Sequence, residues 1–124
     1  MANDFKRYTV ANVNTSLGAS ASPVYTVPSS GSAMETIVIG ITLANTSTAG
    51  VTANVFIDNY DGSNDVYLVR NASVPAGSSL EVMAGNKLVL MGTGSANDIL
   101  KVSCSTASSL DATVSILELS LIHI

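Results

Sequence analysis

The 124-residue chain has one cysteine, one histidine and no tryptophan, and only 11% of its residues are charged. A single cysteine excludes an internal disulfide and a thiolate metal cluster. The single histidine, His123, is the penultimate residue. That leaves no internal Ser-His-Asp or Cys-His arrangement and removes most zinc sites. Five Lys and Arg against nine Asp and Glu give a net charge of −4. A duplex-binding surface needs clustered cations to neutralise several phosphates, so nucleic acid is not expected as a partner. No apolar run approaches the roughly 18 residues of a membrane span. The polar start from Met1 to Arg7 leads into no apolar signal segment. The expectation is a chain made in a reducing cytoplasm, with no membrane partner.

What is abundant is small, polar and uncharged: 18 Ser, 11 Thr and 10 Asn. Hydrophobic residues still make up 47%, which argues for a folded core and against disorder. A chain of this length is one domain, 1–124, and buries roughly two-thirds of its unfolded surface.

The apolar residues recur at period two. Ile37, Ile39, Ile41 and Leu43 fall on one face of a strand, with Thr36, Val38, Gly40 and Thr42 on the other. After the turn at 45–50, Val51, Ala53, Val55 and Ile57 alternate with Thr52, Asn54, Phe56 and Asp58, so these two runs are expected to form a hairpin. Further strands are expected over 65–71, 79–83, 87–91, 98–104 and 112–121, with 79–83 and 87–91 as a second hairpin. Upstream, 5–13 and 24–27 read as strands, residues 1–13 forming an N-terminal arm or edge strand. No helix-length stretch has a 3.6-residue period. The spacing predicts an all-β fold, an antiparallel β-sandwich or jelly-roll-like architecture of eight to nine strands. Its core should hold Ile37, Ile39, Ile41, Val55, Ile57, Leu88, Leu90, Leu100, Val102, Val114 and Ile116.

Two irregularities stand out. In the last strand Ala112, Val114 and Ile116 share one face, but Leu117, Leu119 and Leu121 share the other. That slip marks a bulge or a strand buried on both faces. The segments Thr26-Val27-Pro28-Ser29-Ser30-Gly31-Ser32 and Ser73-Val74-Pro75-Ala76-Gly77-Ser78-Ser79 echo one another. Either the two halves are similar, or both segments leave a sheet edge, where proline is tolerated.

Candidate chemistry is sparse. Asp58, Asp61 and Asp65 with Asn59 and Asn64 offer oxygen ligands that suit Ca²⁺, but the closing Glu of an EF-hand is missing and position 69 is Val. A solvated acidic tip is the simpler reading. Cys104 is in phase with Leu100 and Val102, so it should face the core as a small hydrophobe. Asn14, Asn45 and Asn71 open glycosylation-like triplets, expected by chance in so Asn- and Ser-rich a chain. Gly92-Thr93-Gly94 lacks the Gly-Lys-Ser/Thr of a phosphate loop. Tyr8, Tyr25, Tyr60 and Tyr67 supply few rings for a sugar platform. No catalytic residue, cofactor or metal is expected.

Tyr25-Thr26-Val27-Pro28, the run 35–47, the run 67–80, Gly85-Asn86-Lys87-Leu88-Val89-Leu90-Met91, Asp98-Ile99-Leu100-Lys101-Val102-Ser103 and 111–119 together resemble small virion structural proteins of tailed bacteriophages, cyanophage-like and other marine types. The resemblance implies a non-enzymatic particle component, a capsid decoration or a neck or tail accessory protein. It implies other phage virion proteins, such as major capsid or tail proteins, as partners, and assembly in the bacterial host cytoplasm into the virion. The alternative is a carbohydrate-binding β-sandwich module displayed on a virion.

The composition fits such a role. Neutral polar faces can pack without desolvating charges. One small core also cannot use all the apolar strand surface. Val38, Phe56, Val89 and Met91, with the apolar tail Leu121, Ile122 and Ile124 of 121–124, are left as surplus. They are the expected contacts of a homo-oligomer, a trimer, pentamer or hexamer, in which one patch repeats on every copy.

Overall fold

The computed structural model describes residues 3–16, 21–27, 34–58, 65–82, 88–92 and 97–120. These hold nine strands in two antiparallel sheets. The first sheet runs β1 (Asn3–Val10), β9 (Leu110–Ser120) and β3 (Met34–Asn45). Along the far edge of β3 lie both β6 (Ser79–Glu81) and β7 (Leu88–Gly92). The second runs β2 (Ser22–Thr26), β8 (Ile99–Cys104), β4 (Val51–Asp58) and β5 (Asp65–Val74). With β6 and β7 sharing one position, this is the strand order of a jelly roll. No helix occurs among the described residues.

Strands adjacent in sequence mostly fall in opposite sheets, which overturns both expected hairpins. β3 and β4 do not pair: β3 lies against β9, β6 and β7, and β4 against β5 and β8. The segment between them crosses from one sheet to the other. Asn45, 3% exposed, organises that crossing. Its Nδ2 donates to the carbonyls of Ala49 and Val74, each at 2.9 Å, and its Oδ1 accepts from the Ser47 amide. A buried side-chain amide thus replaces the ladder bonds that a hairpin would have made. β6 and β7 likewise pair with successive stretches of β3, residues 42–44 and 34–38. The one hairpin among the paired strands is β4–β5, closing from Asp58 opposite Asp65.

The two Val-Pro segments follow β2 and β5, the two edges of the second sheet, and each leads to the first sheet. Both valines are fully buried. In the second segment Ser78 donates its amide to the Pro75 carbonyl at 3.2 Å, and Gly77 has φ +70°. That is the third position of a type II turn, which a Cβ would strain.

The core lies between the sheets. Ile41, Val55, Ile57, Leu90, Leu100, Val102, Val114 and Ile116 are buried there as the alternation predicted, and Cys104 joins them at 2% exposure. Leu88 is half-buried against this cluster. Ile37 and Ile39 depart from the expectation: Ile37 is half-buried and Ile39 is 43% exposed. Thr36 and Val38 take the inward positions instead, both at 0%.

Candidate functional site

One extra residue in β3 causes that exchange. Val38 pairs with Ile116 and Gly40 with Ser115, so Ile39 has no partner on β9. A lone glycine within a strand is the sequence mark of such a bulge. Inserting one residue reverses the alternation. Thr36 and Val38 face inward before the bulge, and Ile41, Leu43 and Asn45 face inward after it. Glu81 fastens it from β6: its carboxylate accepts the Ile41 amide at 3.2 Å and the Thr42 hydroxyl at 2.8 Å. The slip expected in β9 is therefore on its partner. β9 keeps Ala112, Val114, Ile116 and Glu118 inward throughout.

The bulge adds Ile37 and Ile39 to the outer face of the first sheet. Phe5 lies opposite Leu117, Leu117 opposite Ile37, and Ile37 opposite Val89. These four residues make one row across β1, β9, β3 and β7. Phe5 is 76% exposed and Val89 50%, with Ile39 above the row and Met91, 41% exposed, below it. An open depression of about 380 Å³ lies beside Ile39, lined by Phe5, Lys6, Arg7, Ser115 and Ile116. Large apolar side chains are thus gathered on one flat face and not scattered.

Glu118 is the one carboxylate that the phase of β9 carries into the interior among the described strands. Its Oε2 accepts from the Tyr25 hydroxyl at 2.6 Å, and Lys6 Nζ lies 3.0 Å from Oε1. The Tyr25 hydroxyl also lies 2.8 Å from Thr36 Oγ1. Burial, and then donation to Glu118, push the Tyr25 phenol well above its ordinary value. The Tyr8 ring packs on Tyr25 at 5.2 Å. This group ties β1, β2, β3 and β9 together.

Two of the expected oligomer contacts are not available as surface. Val38 is fully buried because the bulge turns it inward. Phe56 is fully buried although it lies outside the core cluster. Its ring meets Tyr67 at 5.0 Å, and Arg70 stands 4.7 Å above the Tyr67 ring. Its neighbour Lys101, 5% exposed, pairs with Asp58 at 3.2 Å. Val89 and Met91 are exposed and join Phe5, Ile37, Ile39 and Leu117 on one face. Leu121, Ile122 and Ile124 lie outside the described residues. Sequence reasoning placed Phe5 in an N-terminal arm or edge strand and did not count it among the surplus apolar residues. It missed Ile37 and Ile39 by reading β3 as an uninterrupted alternation, though Gly40 was the available signal.

Of the four tyrosines, Tyr25 is buried, Tyr8 packs on it and Tyr67 is stacked between Phe56 and Arg70. Tyr60 lies outside the described residues, as do Asn59, Asp61 and Asn64 of the acidic loop. Among the described residues no group of three His, Cys, Asp or Glu could hold a metal ion.

No family model matches the chain, and no curated protein matches it in sequence. Among solved structures it is similar to one from infectious bursal disease virus, Gx strain, at a TM-score of 0.43 and 8% identity. The alignment covers 94% of this chain and 32% of that one, so the chain spans about a third of the length of the protein it matches. At so low a similarity the functional reading rests on the chain's own surface.

Proposed function

We propose that the chain is a non-enzymatic virion structural protein that associates through the outer face of its first sheet. The observation that carries this reading is the row Phe5, Leu117, Ile37 and Val89, flanked by Ile39 and Met91: an apolar surface on a sheet whose other face already supplies the core. A protein whose work is to cover and be covered needs such a face and few charges. The jelly-roll strand order is one that capsid and lectin domains share, and the strand motifs resemble those of small tailed-phage virion proteins. On this reading the chain decorates a capsid or serves the neck or tail, with copies of itself and a major capsid or tail protein as neighbours. It joins the particle in the host cytoplasm.

The test is mass spectrometry and cryo-EM of purified particles of the phage that encodes the chain. The expected result is the protein in copies that follow the particle's symmetry, with the β1–β9–β3–β7 face against a neighbour. Absence from the particle overturns the reading. Glycan-array binding by a protein absent from particles would favour the carbohydrate-binding alternative.

A further inference from the structure

We infer that the outer face of the first sheet pairs with the same face of a second copy about a two-fold axis lying over Leu117, with Arg7 of each copy opposite Glu35 of the other. This deepens the proposed function and rests on it.

Register places two opposite charges about one residue. Arg7 on β1 lies opposite Ser115, two residues before Leu117 on β9. Glu35 on β3 lies opposite Leu119, two residues after it. The two charges therefore stand diametrically across Leu117, each one strand and two residues away, or about 8 Å by ladder spacing. Both are on the outer face. Arg7 is exposed and lines the depression beside Ile39, and Glu35 is cross-strand to exposed Met91. Neither is ion-paired among the described residues, where Lys6 and Lys101 hold the salt bridges.

A two-fold contact is isologous, so each residue must meet the partner of its own symmetry mate. A face with one cation and one anion equidistant from an apolar centre meets that condition. Turning a second copy over onto the first about an in-face axis through Leu117, perpendicular to the Arg7–Glu35 line, makes two opposite-charge pairs. The same rotation leaves Leu117 facing Leu117 and crosses the two rows there. Any placement that sets Arg7 over Arg7 is repulsive, and this selects the orientation.

The size of the face sets the strength. Four strands are about 19 Å across and the stretch from Asn3 to Thr9 about 24 Å long, giving about 450 Å² of flat area. A standard stable interface buries about 800 Å² from each partner. One such contact is therefore weak, and suits a protein that assembles where many contacts form together.

Sedimentation equilibrium of the full chain up to about 1 mM, the weak end of specific association, tests the pairing. Arg7→Glu and Glu35→Arg are made singly and together, and circular dichroism checks that each variant is folded. Expected is a concentration-dependent dimer that each single swap weakens about tenfold or more and that the double swap restores, with added salt weakening the wild type. A wild type that stays monomeric to 1 mM overturns the pairing. So does a dimer indifferent to the single swaps, or single swaps that the double does not rescue. An indifferent dimer moves self-association to another face and leaves the virion reading intact. That reading falls only if the protein is missing from particles.

Discussion

The Tyr25 hydroxyl donates to the Glu118 carboxylate at 2.6 Å, joining β2 of one sheet to β9 of the other through the interior. The two residues are 93 positions apart. Sheets that meet mostly through apolar side chains are here joined by a charge-assisted hydrogen bond, the strong kind. Lys6 balances the carboxylate from β1, so the edge strand is held by a charge as well as by its ladder.

Alkaline pH should therefore loosen the fold through Tyr25. Its phenol ionises near pH 10 in an unfolded chain, but burial and the neighbouring carboxylate raise it in the native state. A native pKa above the unfolded one means that this stability is intact below about pH 10 and is lost as pH rises beyond it. Urea midpoints taken between about pH 7 and 11.5 should fall above pH 10 for the wild type. Tyr25→Phe should cost roughly 1–2 kcal/mol at pH 7 and flatten the alkaline fall. Parallel losses in the two proteins would remove Tyr25 as the cause.

The bulge in β3 sets opposite costs for adjacent residues. Val38→Ala empties a fully buried site and should destabilise by about 2 kcal/mol. Ile39→Ala trims an outward side chain and should change stability by no more than about 0.5 kcal/mol. Chemical denaturation of the two variants measures this directly. The reverse ranking would restore an uninterrupted strand with Ile39 inside.

Asn45→Ala should be costly for its size. It removes the donor to two carbonyls, those of Ala49 and Val74, and the acceptor of the Ser47 amide. Stranding buried backbone groups is expected to cost roughly 2–3 kcal/mol. Faster amide exchange over 45–50 should accompany the lower urea midpoint. A neutral effect would mean that the crossing is held by the strands alone.

Cys104 is buried, with Sγ 2.9 Å from the Thr106 carbonyl and 3.6 Å from that of Val13. Cys104→Ser lets a hydroxyl donate to the same acceptors, so the loss should fall near 1 kcal/mol, the low end for burying a hydroxyl. A maleimide should label the native thiol only after denaturant is added. Rapid labelling of the folded protein would place the thiol outside the core.

Strand alternation, turn residues and the want of any helical period were enough to determine an all-β sandwich of eight to nine strands, most of its core and the inward place of Cys104. These are local properties, since a side chain's face follows from its neighbours in the same strand. Which strands pair was decided by the tertiary structure. The 45–50 turn has the composition of a hairpin loop, yet β3 finds β9, β6 and β7, because closing two sheets over one core outweighs the nearest pairing in sequence. The structure also decided the outer face. A single bulged residue exchanges Val38 for Ile39, and lateral register lines up Phe5, Leu117, Ile37 and Val89 from four distant segments. Glu118 is legible only there too, because a carboxylate can be buried only where Tyr25 and Lys6, from two other strands, arrive to pair with it.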